Sequence, residues 1–566
     1  MHTPPDNVFM RLGVLAFLQR ETDSLNGRLL LLTATSGIAN ALNLAVINGA
    51  VESMQKGGPS WYHFLWFSLS IVLFVYSLRF IMYESSRITE RAMYSVRVRL
   101  ADKIRHADLL SLEAIGEADI HARISQDTAM IAQAARPLFA AAQGAVMVFC
   151  TIVYIAFISP VAMGLCVLLI VGGIGAYLKD KKRYESTLRK ASEQEDELFG
   201  TLSGMLKGFK EVRLNRVKSD DLFDDFRQTA NRVYDLRLGV AIKFSNNIVF
   251  TEMFFLLLLG AIVFVLPVLS TAFGESVTKI VAAILFFFGP LGNVVMIIPL
   301  LSQVNVTVTN LQRLEMTLDE ALAKSSGRDE GPLHDYSGFQ SIRFNNLGFS
   351  YPHADGGESF HVGPFNGTVR RGEILFLVGG NGSGKTTFMK LFTGLYQPER
   401  GAITVDDVTI GRADLQSYRN LFSAIFSDFH LFDKLHGLRN AEPERVAGLL
   451  RLMGISDKTS LADGAFSTTR LSTGQRKRLA LVVAYLEDKP VYVFDEVAAD
   501  QDPEFRSYFY ETLLPELKQA GKTVLVVSHD DRYFHVADRV LKMDYGQLRD
   551  AAAPDSSNSP TQEPHP

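Results

Sequence analysis

Long apolar blocks dominate the first half of the chain, whereas the second half mixes short apolar runs with polar segments. Six of the blocks approach the roughly 20 apolar residues needed to cross the hydrocarbon core of a bilayer. They lie at 29–51, 62–83, 138–158, 161–178, 248–269 and 277–301. Buried helices of a large soluble core would not give six such runs with so few charges. The pattern therefore predicts a helical membrane domain with six spans.

The polar segments between the spans predict the orientation of this domain. Arginine and lysine concentrate at 84–137 and 179–247, whereas the opposite loops carry little beyond Lys56 and Lys279. By the positive-inside rule, both termini and both long segments face the cytoplasm, where ATP is. The long segments are free of proline over 84–135 and 179–266, so we expect the spans to continue as cytoplasmic helices. Turns near 113–119 and 203–209 would form tips that contact the second half; solvated hairpins without a partner are the alternative.

Two charged residues and three asparagines lie inside the predicted spans. Arg79 and Glu252 fall at similar depth in the cytoplasmic leaflet, and an intramembrane charge is costly unless it is paired or faces water. We expect them to pair or to line an inward-facing cavity, with snorkelling to the headgroups as the alternative. Asn40, Asn43 and Asn48 suggest either a polar path or, more ordinarily, hydrogen bonds between helices.

Composition divides the chain into four segments. The first is a transmembrane domain at 1–322, and a polar stretch with glycine and proline at 323–337 is a linker. A second domain without apolar blocks of spanning length follows at 338–550. Residues 551–566 are rich in serine, proline and small side chains, which predicts a disordered tail.

Net charge and cysteine content exclude several classes of protein. A net charge of -4 over 566 residues gives no indication of a nucleic-acid partner. The two cysteines, Cys150 and Cys166, both lie in apolar blocks, so neither a disulfide framework nor a metal site with cysteine ligands is expected.

A glycine-rich loop in the second half carries the clearest chemical signal. It follows the apolar run 374–378, which predicts a buried strand, and precedes a run at 388–392 that is compatible with a helix. Backbone N–H groups of such a loop converge on phosphate oxygens, Lys385 reaches the terminal phosphates, and the Thr386 hydroxyl is a ligand for Mg²⁺. The residues of this phosphate loop are Gly379, Gly380, Asn381, Gly382, Ser383, Gly384, Lys385, Thr386 and Thr387.

Two further strands end in groups that complete an ATP site. The run 491–494 ends in Asp495, a candidate for holding Mg²⁺ through water, and Glu496, a candidate for polarising an attacking water. The run 523–527 is followed by Ser528 and His529, and His529 is placed to contact a γ-phosphate. An acidic pair after a strand is otherwise a solvated strand end, and a lone histidine is usually structural. Three such groups in order within one domain favour catalysis by Glu496, His529 and Lys385.

A short motif before an Arg/Lys-rich helix start makes the resemblance to a known family specific. The motif resembles the LSGGQ signature of ATP-binding cassette (ABC) proteins, with Thr473 where glycine is usual. By that resemblance, Asp502 matches the loop that crosses the dimer interface, and Tyr351 matches the aromatic residue that stacks on adenine. The signature residues are Leu471, Ser472, Thr473, Gly474 and Gln475.

Two positions depart from the family pattern. Ser427 stands where the family has a glutamine that contacts Mg²⁺ and senses the membrane domain, so a bridging water or Asp428 would have to help. The acidic loop common before the signature of exporters is replaced by 466–470, which contains no acidic residue.

The resemblance implies an exporter half-transporter over nearly the whole chain: six spans, then an α/β P-loop nucleotide-binding domain. It further implies an ATPase that uses ATP and Mg²⁺, and a homodimer in which each ATP lies between the phosphate loop of one subunit and the signature of the other. The segments that contain Ser427 and Thr473 most resemble those of bacterial cyclic-peptide exporters. That group is similar to proteins that move syringomycin-type lipopeptides, pyoverdine precursors or lasso-type microcins across the inner membrane. The alternatives are a lipid or drug exporter and a nucleotide-gated channel or sensor.

Overall fold

The structure is a computed structural model that describes residues 17, 21, 27–56, 58, 61–269, 274–324, 334–351 and 360–551. It contains two compact units. One consists of residues 1–105 and 115–317, and the other of residues 106–114 and 318–566. The predicted tail, except Ala551, and residues 325–333 of the predicted linker lie outside the described residues.

The first half of the chain is helical. Two π-helical turns, Arg123–Asp127 and Ala261–Val265, interrupt it. The α-helices are α1 (Gly27–Gln55), α2 (Trp61–His106), α3 (Leu109–Ile115), α4 (Glu117–Ala122), α5 (Thr128–Ile158), α6 (Pro160–Lys207), α7 (Phe209–Leu214), α8 (Arg216–Gly260), α9 (Leu266–Leu269) and α10 (Gly274–Lys324).

The helices confirm a polytopic membrane domain. Five segments of the described residues are long and apolar enough to cross a membrane, and they correspond to five of the predicted spans. The predicted fourth span forms the start of α6, where the apolar part is the shorter segment Pro160–Gly173. Helices α2 and α6 have 46 and 48 residues, well beyond the roughly 20 that a bilayer needs, so the spans do continue into the polar segments as predicted.

The three asparagines of α1 bond to other helices, as the more ordinary interpretation predicts. The Asn40 amide lies 3.1 Å from the sulfur of Met147, and the Asn48 amide donates to the hydroxyl of Tyr154 at 3.1 Å. Ser70 donates to the side-chain oxygen of Asn43. These bonds satisfy polar groups that would otherwise face hydrocarbon.

The two intramembrane charges are not paired with each other. Arg79 and Glu252 are both exposed, and no ion pair joins them within the part of the chain that the structure describes. Glu252 lies in an open apolar groove along α8 beside Val249 and Phe264. The predicted pairing is therefore not present in the described residues, and the role in lining an inward-facing cavity stays a prediction.

The second unit contains the strands and the remaining helices. Its twelve described strands are β1 (Ser341–Ser350), β2 (His361–Arg370), β3 (Ile374–Val378), β4 (Arg400–Val405), β5 (Val408–Thr409), β6 (Phe422–Ile425), β7 (Leu461–Ala462), β8 (Ala465–Phe466), β9 (Val491–Asp495), β10 (Thr523–Val527), β11 (Arg539–Asp544) and β12 (Gln547–Ala551). Its α-helices after α10 are α11 (Lys385–Phe392), α12 (Leu415–Arg419), α13 (Pro443–Leu452), α14 (Thr473–Glu487), α15 (Pro503–Ser507) and α16 (Leu514–Gln519).

A six-stranded sheet positions the candidate site. Its order is β12-β11-β3-β10-β9-β6, and β6, β9, β10, β3 and β11 are parallel. Strands β9 and β10 are buried along their whole length because apolar clusters cover both faces of the sheet. The carboxyl ends of parallel strands meet at one edge, where ligands of open α/β sheets bind. Since β3, β10 and β9 are neighbours, the phosphate loop, His529 and Glu496 come together there.

Candidate nucleotide-binding and hydrolysis site

The phosphate loop links β3 to α11 through backbone conformations that favour glycine. Gly379 has φ 156°, and a Cβ built on it would lie 2.3 Å from the carbonyl oxygen of Met543. Gly384 has φ 106° and is the N-cap of α11. A side chain at either position would be strained, so the glycines keep the loop tight and its N–H groups available at the helix N-terminus.

Two side chains of the loop fit a phosphate group. The Lys385 ammonium is buried and donates to the carbonyl oxygens of Gly379 and Gly380 at 2.8 and 3.0 Å. No carboxylate of the described residues pairs with it. The Ser383 hydroxyl is also buried and has no hydrogen-bond partner among those residues. A buried ammonium without a direct ion pair and an unpartnered hydroxyl are both expected at a site built for an anion.

Glu496 and His529 form a pair at the edge of the sheet. Nε2 of His529 lies 3.0 Å from Oε1 of Glu496, and both side chains are partly exposed. Glu496 has φ 51°, an uncommon conformation for a residue other than glycine, and its N–H donates to the carbonyl of Val527 at 3.2 Å. A carboxylate that reaches solvent and is oriented by an imidazole is suited to act as a general base toward water.

Asp495 is the buried member of the acidic pair. Its carboxylate accepts a hydrogen bond from the backbone N–H of Ser427 at 3.3 Å. Burial raises the pKa of Asp495, while the Ser427 hydrogen bonds and the Lys385 ammonium oppose that rise. A buried carboxylate with so few donors fits a cation ligand.

Mg²⁺ usually binds through one or two protein oxygens together with phosphates and waters. Asp495 and the Thr386 hydroxyl offer such oxygens. Within the described ranges no group of three or more His, Cys, Asp or Glu could hold a metal ion by itself. The donor set therefore fits Mg²⁺ bound together with a nucleotide.

Tyr351 lies next to the phosphate loop, one residue beyond the end of β1. Its hydroxyl is 3.0 Å from the Thr387 hydroxyl, and its ring meets those of Phe349 and Tyr396 edge-on at 5.2 and 6.1 Å. The aromatic residue that the family resemblance singles out is thus brought to the loop by the fold.

The signature residues form the start of α14 rather than a segment before it. Ser472 is the N-cap, and it exchanges hydrogen bonds with Gln475 in a capping box. Gly474 approaches the loop after β9 so closely that a Cβ would lie 2.8 Å from the carbonyl oxygen of Asp500, and Gln501 donates to the Gly474 carbonyl at 2.9 Å. No hydrogen bond of the described residues joins the signature to the phosphate loop of the same chain.

Asp502 connects the same loop to α14. Its carboxylate is the N-cap of α15 through the Phe505 N–H at 2.9 Å, and it forms an ion pair with Arg478. The Phe505 hydrogen bond holds the pKa of Asp502 below its usual range, with a further contribution from the Arg478 charge.

Helix α3, the first predicted tip, belongs to the unit that carries this site. Glu113 accepts hydrogen bonds from Lys390 at 2.8 Å and from the Tyr396 hydroxyl at 2.5 Å. Tyr396 in turn contacts Tyr351. The predicted contact between this tip and the second half of the chain is therefore present. Its residues are not apparent in the sequence, because 277 positions separate Glu113 from Lys390.

Sequence reasoning also missed Lys477. Its ammonium is buried and donates to the Glu496 carbonyl at 2.8 Å and to Asp500 at 2.7 Å. The sequence of 476–478 by itself indicates only a basic helix start. Helical spacing offers a signal, since positions 480, 481 and 484 are apolar and place residue 477 on the buried face.

The fold and this site define an ABC exporter. Residues 28–293 match the family described as ABC transporter transmembrane region, and residues 362–499 match the ABC transporter family. The chain is 32% identical over 530 residues to the ATP-binding protein SyrD of Pseudomonas syringae pv. syringae, a similarity that covers 90% of this chain and 91% of that protein. The chain therefore belongs to the ABC transporters, as an exporter with transmembrane and ATP-binding domains, and this implies ATPase activity.

Other relatives are similar over a smaller part of the chain. The subtilin transport ATP-binding protein SpaT of Bacillus subtilis is 29% identical over 38% of this chain and 36% of its own. The ATP-dependent lipid A-core flippase of Burkholderia pseudomallei (strain 1710b) is 32% identical over 38% of this chain and 37% of its own.

A bacterial Atm1-family ABC exporter with ATP bound has the same fold, with a TM-score of 0.70, 17% identity, and coverage of 96% of this chain and 95% of that chain.

Proposed function

We propose that this protein exports a cyclic peptide, lipopeptide or peptide siderophore precursor across the bacterial inner membrane, driven by ATP. The Glu496–His529 pair beside the phosphate loop carries the proposal, because a gate or sensor needs nucleotide binding but not a base. The N-terminal helices would form the membrane domain, and 338–550 the cytoplasmic ATP-binding domain.

The chemical step follows from the residues at the sheet edge. Glu496 takes a proton from a water molecule as the water oxygen attacks the γ-phosphorus of ATP, and the bond to the β–γ bridging oxygen breaks to give ADP and phosphate. His529 orients Glu496 and contacts the γ-phosphate. Lys385 exchanges its two carbonyl partners for phosphate oxygens and balances their charge. Mg²⁺, held through Thr386 and Asp495, with Ser427 acting through water, would supply further charge neutralisation at the phosphates.

A homodimer would complete this site. Residues 471–475 do not hydrogen-bond to the phosphate loop of their own chain within the described residues, and the chain carries one copy of each motif. In the proposed dimer, the signature of one subunit closes over the ATP of the other, and Asp502 lies near the interface. ATP closes the cassettes and turns the cavity outward, and hydrolysis resets it, as a difference in binding between two states requires.

Two observations support a peptide-like substrate. One relative, SpaT, is named for the transport of subtilin, a peptide, and is similar over 38% of this chain. In addition, Ser427 and Thr473 are the substitutions that resemble the cyclic-peptide exporters. Lipid export is the second candidate, and the partial similarity to a lipid A-core flippase favours it.

The test is ATPase activity of the full chain in lipid nanodiscs, with a cyclic lipopeptide, its linearised form, or lipid A added. We expect stimulation by the cyclic lipopeptide alone, and loss of about 100-fold or more in turnover for Glu496→Gln, since general base catalysis contributes at least that much. Stimulation by lipid A alone would establish the second candidate. Nucleotide binding without turnover in the wild type would overturn the transport proposal in favour of a gate or sensor.

A further inference from the structure

Lys477 is a buried ammonium group with two fixed acceptors. It lies in the second turn of α14, its side chain is only 6% exposed, and it donates to the Glu496 carbonyl and to the Asp500 carboxylate. Burying an ammonium costs several kcal/mol unless good partners compensate. An apolar side chain would fill the same place on this face of the helix at lower cost, so the charge points to a role beyond packing.

One of these acceptors belongs to the residue that we propose as the general base. The left-handed conformation of Glu496 is unfavourable for a residue with a Cβ. Its N–H is fixed by Val527 of β10, and its carbonyl accepts from both Lys477 and the Ala499 N–H, the latter at 3.2 Å. Both peptide groups of Glu496 are therefore anchored, and they direct its carboxylate toward His529.

The other acceptor connects the base to the signature. Asp500 belongs to the loop that packs on Gly474, and Gln501 of that loop bonds to both Gly474 and Arg478 of α14. Lys477 lies in the wall of an open pocket of about 390 Å³ that Glu496 and Asp500 also line. Through Lys477, the helix that begins with the signature thus holds the backbone of the base directly.

We propose that Lys477 is a positioning residue, whose ammonium fixes the Glu496 backbone and ties it to the signature helix. This inference rests on the proposed role of Glu496. It assigns Lys477 to the hydrolytic step and not to nucleotide binding, because the Lys477 ammonium donates to the Glu496 carbonyl and to Asp500, which both lie outside the phosphate loop. Removing it leaves the loop intact and releases the base from its orientation.

Lys522 offers a matched control. Like Lys477, it pairs with a carboxylate and a backbone carbonyl, here Asp488 Oδ1 at 2.7 Å and the Asp488 carbonyl at 3.2 Å. Asp488 also has a left-handed backbone, with φ 49°, at the C-cap of α14. The two lysines therefore make the same bonds, one beside the proposed base and one at the opposite end of the helix.

The experiment compares Lys477→Met, Lys522→Met and Glu496→Gln in the full chain in nanodiscs. We expect Lys477→Met to lower kcat by about 10- to 100-fold, since a displacement of about 1 Å at a reacting group costs up to that much. Its KM for ATP and its binding of a fluorescent ATP analogue should stay within about twofold of the wild type, and its Tm should fall no further than that of Lys522→Met. Lys522→Met should keep the wild-type kcat. In the Glu496→Gln background, Lys477→Met should cause no further loss.

Each outcome separates the two proposals. If Glu496→Gln loses turnover while Lys477→Met and Lys522→Met both keep it, the positioning role is wrong and the base assignment stands. If Glu496→Gln keeps turnover, the base assignment itself is wrong. A higher KM for ATP and a lower Tm in Lys477→Met, with an unchanged kcat, would make Lys477 merely structural. Should Lys477→Met not fold, Lys477→Gln takes its place. Its amide is uncharged and one atom shorter than the lysine side chain, so we expect a smaller loss of kcat, and wild-type kcat would overturn the proposal.

Discussion

At the scale of single residues, the site keeps a carboxylate that its surroundings disfavour. Burial raises the pKa of Asp495 above the ordinary value of 3.8, so its ionised form costs stability at neutral pH. That cost is relieved as the pH falls through the raised pKa and has vanished below the ordinary one. The proposed Mg²⁺ site gives a reason to retain this carboxylate, because a cation prefers a charged oxygen ligand.

We therefore predict that Asp495→Asn raises the Tm of the nucleotide-free protein at pH 7 while abolishing ATPase activity. The difference in Tm from the wild type should shrink as the pH is lowered toward 4, because a growing fraction of Asp495 is then protonated and neutral, as asparagine is. Thermal unfolding in detergent from pH 7 to pH 4 measures it. Asp407→Asn, at a side chain that is 95% exposed, is the control and should show no such difference. A lower Tm for Asp495→Asn at pH 7 would contradict this account.

Tyr351 allows ring and hydroxyl to be tested separately. Tyr351→Phe removes only the bond to the Thr387 hydroxyl and should leave the KM for ATP within about twofold. Tyr351→Ala removes the ring as well, and because base–aromatic stacking contributes about 1–3 kcal/mol, it should raise the KM roughly 5- to 150-fold with a smaller effect on kcat. Steady-state ATPase kinetics decide the matter. Equal kinetics for Tyr351→Ala and the wild type would mean that adenine does not stack on this ring.

The sequence identifies some of these residues and not others for a physical reason. The phosphate loop, Asp495, Glu496 and His529 follow buried strands directly, so local pattern alone places them at one sheet edge. Lys477 contacts Glu496 only through tertiary packing, and a basic run at a helix start usually points to solvent. Its burial depends on the neighbouring loop, which no local pattern describes.

At the scale of elements, helix α3 connects the membrane-spanning chain to the nucleotide site. Leu109 and Leu110 pack against the apolar cluster around the phosphate-loop helix, and Glu113 bonds to Lys390 and Tyr396. Because α3 follows α2 after two residues, we expect this contact to couple substrate binding to the nucleotide site.

We predict that Glu113→Lys leaves basal ATPase activity within about twofold but weakens its stimulation by the transported substrate. The substituted side chain at position 113 would repel the Lys390 ammonium, so the ion pair between these two positions would be lost. The double variant Glu113→Lys/Lys390→Glu should recover part of the stimulation. The control is Glu117→Lys, on the exposed surface of α4. If the single and double variants respond equally, the ion pair does not contribute to coupling.

Strands and helices differ in how well the sequence defines them. The runs 374–378 and 523–527 become β3 and β10 with the predicted bounds, because four or five consecutive apolar residues that end at a glycine or a polar residue leave little choice. Four of the six apolar blocks of the first half belong to helices of at least twice their predicted length, namely α2, α6, α8 and α10, whereas α1 and α5 exceed theirs by only two or three turns. Hydropathy measures only the part in the lipid, and the polar continuation is visible in the sequence only as an absence of proline.

At the scale of the whole molecule, the proposed homodimer is open to a direct test. In a protein lacking Cys150 and Cys166, Asn381→Cys and Thr473→Cys are introduced together into the Glu496→Gln chain. Both positions are exposed in one subunit. We expect a disulfide between subunits that forms in the presence of ATP, seen as a dimer band on a non-reducing gel. Neither single-cysteine chain should give that band, and a bond only within one chain would rule out the head-to-tail dimer.

Because helix α6 is long, a small tilt of the helix would produce a much larger displacement at its far end. At about 1.5 Å per residue, its 48 residues span roughly 72 Å, of which about 40 Å extends beyond a hydrocarbon core about 30 Å thick. Pro160, at its first turn, is its only proline, so the rod has no proline kink. A tilt of about 5° at the bilayer surface then displaces the far end by roughly 3–4 Å, on the order of one atomic contact. Conversely, a movement of about 3–4 Å at the far end of α6 would require the membrane-spanning part of the helix to tilt by only a few degrees.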